Sequence, residues 1–244
     1  MCGRYVSPDD AAIERHWHLG RGNNPNPFRN LYNVAPTMRV PILRRATDAD
    51  GLALAGARWS FIPHWWKQPK PPTMTINARS EEAAIKPMWR DSYKHGKAHV
   101  LMPALAYYEW KAMERLDPVT GEVTNYKQPY CLYLPDHEPF CFAALASWWH
   151  APGKEEPVLT CALLTQAASQ SVAPVHDRMP VILPVEQFDA WTDPARTTAA
   201  ATAEILAQAL TEIQWHPVST RVNNARTDDA ALMQPIALPR PTDR

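Results

Sequence analysis

The chain has 244 residues, 45% hydrophobic and 20% charged, enough for one large core or two small ones. Its 25 Lys and Arg balance 25 Asp and Glu, which argues against bulk electrostatic binding of nucleic acid, since phosphate contacts are made by Lys and Arg, but leaves room for a local basic groove. The longest apolar runs, near residues 100–108 and 141–149, fall short of the roughly 18 to 20 residues of a membrane span and no signal pattern precedes them, so the chain reads as cytoplasmic.

Residues 2–6 read as a short strand. Ser7-Pro8-Asp9-Asp10 supplies an N-cap, a proline at the first helical position and acid in the first turn, which predicts a helix to about His18, closed by Gly20. A polar loop over 21–30 leads through 31–36 into an alternating strand at 38–44, whose partner is 52–61. The stretch 62–75 is rich in Pro, Lys and Trp, with Trp65 and Trp66 adjacent, and reads as an exposed loop able to stack on something flat. Ser80-Glu81-Glu82 caps one short helix and 87–93 suggests another. Strands at 98–102, 105–111, 129–134, 140–148 and 158–165 make the middle β-dominated, with the polar 112–127 as a long hairpin insertion rather than a domain boundary. A short helix over 166–173, a strand at 181–183, helices over 184–191 and 198–210, and a closing strand at 215–222 follow. No repeat or composition shift divides the chain: residues 1–230 read as one domain and 231–244 as a loose Pro-rich tail.

Four cysteines show no paired spacing typical of a zinc site, and Cys131, Cys141 and Cys161 sit in apolar strand-like runs as reduced core residues; no metal or cofactor is called for. Cys2 differs. A small residue after the initiator Met lets the Met be removed, leaving a thiol two carbons from a free α-amine whose reference pKa is roughly 7.7 to 8.0. Such a 1,2-aminothiol traps an aldehyde twice: the amine forms an imine, and the sulfur adds to the imine carbon to close a thiazolidine ring. Glu109, in Tyr107-Tyr108-Glu109-Trp110, either alternates out to solvent or lies in a pocket where desolvation raises its pKa. His176, between Pro-bounded turns beside Asp177 and Arg178, is either a structural hydrogen-bonder or a general acid/base. Asn77 and Arg79 would share one face of a strand, either as a polar surface or as an amide beside a phosphate fork.

Six stretches in fixed order, Met1-Cys2-Gly3-Arg4, Tyr32-Asn33-Val34-Ala35-Pro36, Ile76-Asn77-Ala78-Arg79, Tyr108-Glu109-Trp110, His176-Asp177-Arg178-Met179-Pro180 and Trp215-His216-Pro217-Val218-Ser219, resemble the SOS response-associated peptidase (SRAP) family of abasic-site processing proteins, from residue 1 to about residue 226. The resemblance implies an α+β single domain with a curved, barrel-like, mostly antiparallel β core flanked by short helices. It implies DNA-damage chemistry in which mature Cys2 cross-links to the aldehyde of an abasic site in single-stranded DNA. Asn77 would orient the amine or the sugar, and Glu109 and His176 would handle protons. Arg4, Arg79 and Arg178 would hold phosphates, Asn33 would line the pocket, and Trp65 and Trp66 would stack on or wedge against bases. The peptidase (hydrolase) label fits removal of Met1 by the same site. The family more often has Gly where this chain has Ala106. A monomer, nucleoid-associated when bound to DNA, is expected. The rival readings are an N-terminal-nucleophile glutamine amidotransferase, which also begins Met-Cys-Gly, and a non-covalent single-stranded DNA-binding module in which Cys2 is passive.

Overall fold

The computed structural model describes residues 2–19, 27–46, 51–68, 75–116 and 120–238. In chain order its elements are β1 (Arg4–Ser7), α1 (Asp10–His16), β2 (Leu31–Val34), β3 (Arg39–Arg45), β4 (Leu52–Trp59), β5 (Asn77–Arg79), α2 (Ser80–Ala83), α3 (Arg90–Lys94), β6 (His99–Ala104), β7 (Ala106–Leu116), β8 (Val123–Tyr133), β9 (Phe140–Trp149), β10 (Val158–Ala167), β11 (Arg178–Pro180), β12 (Ile182–Leu183), α4 (Phe188–Thr192), α5 (Ala199–Leu206) and β13 (Gln214–Pro217).

Five strands close on themselves. β3 pairs antiparallel with β4 and β6, β6 with β9, and β9 with β10, while β10 returns to β4 through a short parallel contact at Thr160 and Cys161 opposite Arg58 and Trp59. Closure explains why β6, β9 and β10 are near-continuous apolar runs, since both faces of each strand are covered. Inward residues such as Val40, Ile42, Trp59, Met102, Phe142, Ala144, Cys161 and Leu163 form one cluster. The alternate residues, among them Leu43, Leu101, Cys141, Ala143 and Leu164, pack outside against Phe188, Trp191, Ile205 and Leu206 of α4 and α5. The helices are short and sit on the barrel wall, so burial of their apolar side chains, worth roughly 1.5–3 kcal/mol each, holds them there rather than helical propensity.

A second sheet, ordered β13-β8-β7-β1-β2, lays Tyr5 and Tyr107 across one end of the barrel. Tyr5 meets Trp59 and Phe142 edge-on at 5.5 and 5.9 Å between centroids, and Tyr107 meets Phe142 at 6.0 Å. The polar stretch 112–127 is the distal part of the β7–β8 hairpin, whose register runs from Tyr107 opposite Leu132 to Leu116 opposite Val123.

The expected single domain and barrel-like core are present, but several local expectations are corrected. The segment 166–173 is not a helix: Gln166 and Ala167 complete β10 opposite Met179 and Arg178. Only one turn follows, closed by Ala173 N–H to Ser169 O at 2.9 Å, because Pro174 lacks the N–H to propagate it. Helix α1 starts two residues late, capped by Asp9, whose carboxylate accepts from Ala12 N–H at 2.7 Å, since Ser7 is claimed by β1. Gly20, the expected helix stop, lies outside the described residues. The closing strand ends at Pro217, and Ser219 caps a 3₁₀ turn over Thr220–Asn223. Residues 231–238 are no loose tail: Leu232 is fully buried beside Val6 and Ala106, and Ile236 N–H bonds Pro217 O at 2.9 Å. Ala106 itself pairs with Val6 in β7 and is fully buried, so its methyl is accommodated without breaking the strand.

Candidate active site

The last ladder partner of β1 is Arg4, opposite Tyr108. Cys2 and Gly3 therefore run past the end of β1 while β7 continues through Glu109, and the N-terminal segment lies against the seam between the two sheets. Across that seam Asn77 Nδ2 donates to the Cys2 carbonyl at 2.8 Å, placing β5 over the start of the chain. Asn77 reaches this point because β5 takes over from β4 along the same edge of β10, pairing with Leu163 to Thr165. Its Oδ1 is buried and has no hydrogen-bond partner among the described residues.

Alternation along β7 sends Tyr107 and Glu109 toward the barrel and Tyr108 to the opposite face, which settles the two placements left open for Glu109: it is 2% exposed. Burial, with the Asp177 charge adding to it, raises its carboxyl from 4.5 to about 7. The same enclosure acts on Cys2, whose thiol is raised well above its ordinary range by burial and further by Glu109. The Cys2 thiol faces the Arg4 carbonyl at 3.6 Å.

His176 completes the group, its Nε2 standing 3.8 Å from Glu109 Oε2. Nδ1 accepts the Arg178 backbone N–H at 2.9 Å, so the neutral ring carries its proton on Nε2, facing Glu109. Asp177 Oδ1, also 2.9 Å from Nδ1, would take over that nitrogen in the cationic ring. Burial lowers the His176 pKa, against the pull of Asp177. Between carboxylate and imidazole opens a cavity of about 480 Å³, lined by Glu109, Trp110, Lys127, His176 and Asn223. Trp110 Nε1 donates to Asn223 Oδ1 at 2.7 Å, fixing one wall.

Cys2, Asn77, Glu109 and His176 thus converge, whereas the residues expected to meet DNA divide. Arg4 Nη1 donates to Asn33 Oδ1 and Val222 O, both at 2.9 Å, and Asn33 Nδ2 spans the carbonyls of Val222, Asn224 and Thr227. This pair braces the 3₁₀ turn that carries Asn223, and Asn33 stands behind the cavity rather than on its wall. Arg178 forks onto Glu81 at 2.6 and 2.8 Å and onto Thr165 O at 2.8 Å, which holds the Glu81 carboxyl below the usual carboxylate range. Arg79 is open, its side chain 53% exposed beside Glu82 at 3.3 Å. Trp65 is 40% exposed, and its ring lies 6.0 Å from that of Trp66 at 56°; Trp149 Nε1 pins the Trp66 carbonyl at 2.8 Å. Lys127 and Asn223 were not anticipated. Lys127 reaches the cavity only through the β7–β8 register, opposite Ala112, a long-range pairing the local sequence does not display.

Among the described residues no three His, Cys, Asp or Glu side chains are grouped to hold a metal, and all four cysteines are free and buried. No described helix is long and apolar enough to cross a membrane. The sequence model of the SOS response associated peptidase (SRAP) family matches residues 1–225. The abasic site processing protein YedK of Escherichia coli is 32% identical over 244 residues, covering 97% of this chain and 100% of that protein. Abasic site processing protein YoqW of Bacillus subtilis is 31% identical over 237 residues, covering 96% and 99%. A solved structure from Bacteroides thetaiotaomicron superposes with a TM-score of 0.74 at 20% identity over 97% of this chain and 100% of that one, a likeness of fold. The structure of a phage-related protein of Bordetella bronchiseptica gives 0.64 at 29% identity over 89% and 94%.

Proposed function

This chain belongs to the SRAP family, and on that footing we propose that it processes abasic sites in single-stranded DNA, forming a covalent thiazolidine through Cys2 once Met1 has been removed. The observation that carries the reading is the convergence of a buried carboxylate of pKa about 7, an imidazole facing it at 3.8 Å and an amide gripping the Cys2 carbonyl at 2.8 Å. That arrangement is what capture of an aldehyde by an amine at neutral pH requires.

His176, neutral because burial lowers its pKa, assists opening of the sugar ring by exchanging a proton with the C1′ hydroxyl through Nε2. The Cys2 amine then attacks the aldehyde carbon. Glu109 accepts a proton as the ammonium becomes the attacking amine and returns it to the carbinolamine hydroxyl, which leaves as water. A carboxyl near 7 exists in both forms at working pH, as this double duty demands. Because burial keeps the thiol protonated, the amine reacts first. The S–H then adds across the C=N bond, sulfur to carbon and hydrogen to nitrogen, with no change of oxidation state. Amine and thiol belong to one residue, so ring closure gains an effective molarity of order 10⁵ M or more. The sulfur diverts the imine from β-elimination, which shields the strand.

Lys127, which is exposed, and Arg79, half exposed beside Glu82, meet the phosphates first, while Arg4 and Arg178 shape the walls they are tied to. A single strand presents its sugar without an unpairing cost and stacks its bases on Trp65 and Trp66. The peptidase activity for which the family is named corresponds here to removal of Met1 by the same residues. The test is incubation with an abasic-site oligonucleotide followed by denaturing electrophoresis, with intact mass confirming a chain that begins at Cys2. Wild type should give a heat- and detergent-stable adduct and Cys2→Ser none; an unmodified wild-type chain, or equal adduct with Cys2→Ser, rejects the proposal.

A further inference from the structure

The barrel has two ends, and only one is closed by Tyr5 and Tyr107. At the other, the interior-facing Arg44, Val100, Ala146 and Leu159 line a cavity of about 300 Å³, with Trp148 at its rim. Barrel mouths are common ligand sites, and this volume lies at the small end of the roughly 300–1,000 Å³ typical of them.

Wall and rim differ in chemistry. Val100, Ala146 and Leu159 make an apolar wall, and Trp148 offers a ring left 48% exposed. Around them stand Arg44, His64, His95 and Lys97, and among the described residues none of the four is drawn into an ion pair. The one acid of the lining, Asp91, sits 3.6 Å from Arg90. Arg44 Nε is buried without an acceptor, and an anion would meet a donor that is otherwise left unsatisfied. An apolar wall beside the Arg44 and Lys97 charges and the His64 and His95 imidazoles suits a planar heterocycle bearing a phosphate.

The place fits as well. His64 immediately precedes the Trp65–Trp66 pair, and Trp149, next to Trp148, holds that pair's loop through the 2.8 Å bond to Trp66 O. Along β10, Leu159 at the mouth is four residues from Leu163, the partner of Asn77, or roughly 13 Å at 3.3 Å per residue. A short run of strand joins the two sites.

We propose that the open mouth of the barrel binds one nucleotide, its base against Trp148 and the apolar wall and its phosphate on Arg44, His95 and Lys97. It is supplied either as a free mononucleotide or by a nucleotide flanking the lesion. The site is independent of the Cys2 chemistry. Full-length protein and its Cys2→Ala form are titrated with deoxyadenosine monophosphate, deoxyadenosine, inorganic phosphate and decanoate, followed by tryptophan fluorescence. Both forms should bind the nucleotide saturably and alike, at least tenfold tighter than the nucleoside or phosphate alone, so failure of lesion chemistry leaves this result standing. Lys97→Glu and Trp148→Ala, both surface changes, should each weaken binding at least tenfold. A second arm places 5-iodouracil at positions flanking an abasic site and maps photo-cross-links by mass spectrometry. A cross-link at Trp148 assigns the strand as source, and nucleotide binding without one assigns the free ligand. Absence of both overturns the proposal, as does phosphate or decanoate binding as tightly as the nucleotide, or affinity unchanged in the two variants.

Discussion

Glu109→Gln tests the central premise, that the fold holds this carboxyl in an environment favouring its neutral form. Raising the group from 4.5 to about 7 corresponds to about 3 kcal/mol at 1.36 kcal/mol per pH unit. The sign follows from proton counting: between those values the folded state binds more proton than the unfolded one, so stability falls as pH rises through this window and the full loss is present above about 7. Glutamine has the shape of the protonated acid and carries no such burden. The two proteins should melt together below pH 4.5 and diverge as pH rises. Above pH 7 the variant should be more stable by up to about 3 kcal/mol, or about 6–12 °C for a domain of this size. The assay is calorimetry or circular dichroism melting at intervals from pH 4 to 8.5. Adduct formation, followed in single turnover, should fall at least a hundredfold and lose any inflection near pH 7. A pH-independent difference in melting temperature, or a variant less stable at pH 8, would refute the account of the site.

Asn77→Ala removes the 2.8 Å bond to the Cys2 carbonyl; a hydrogen bond worth about 1 kcal/mol should cost little stability, while adduct formation slows roughly tenfold more than reversible binding to undamaged strand weakens, read by single-turnover electrophoresis against fluorescence anisotropy. Lys127→Ala leaves the rest of the cavity standing and should lower the slope of log K against log salt by about 0.7 per lost phosphate contact on single-stranded DNA. Trp65→Ala, at an exposed ring, should weaken reversible binding by about 1–3 kcal/mol without moving the rate at saturating DNA.

What the sequence made legible, and what it hid, divides by the range of the interactions. Cys2, Asn77, Glu109 and His176 were visible because each lies in a short motif, and they meet through contacts such as that of Asn77 with Cys2. Whether Glu109 faced water was not, because strand alternation names two faces without saying which one is covered; only the packing of Tyr5 and Tyr107 on Phe142 decides it. The helix expected at 166–173 followed local propensity from small residues, and pairing with Met179 and Arg178 overrode it. Closure of the barrel rests on a parallel contact of two residues on each strand, and the burial of Leu232 rests on Val6 and Ala106 from the other end of the chain. Neither leaves a local trace. Arginines announce a phosphate site by type alone, yet Arg4 and Arg178 are bound to protein acceptors, a fact that depends on where residues 33, 81 and 222 fold.

The same burial that tunes Glu109 reaches Tyr107, two residues earlier on the same face of β7, whose hydroxyl is buried without a partner and whose pKa is raised by burial and by Cys2 and Glu109 nearby. An orphaned hydroxyl costs on the order of 1–3 kcal/mol, and replacing it with an apolar isostere removes that cost. Tyr107→Phe keeps the ring against Phe142 and should raise the melting temperature by about 2–12 °C. If the hydroxyl is retained because it bonds the water leaving Cys2 chemistry, adduct formation should slow severalfold in the same variant while reversible DNA affinity stays level. An unchanged melting temperature would mean that the hydroxyl is already satisfied in the resting protein, and an unchanged rate would remove Tyr107 from the chemistry and leave its ring alone as the reason it stands beside Cys2.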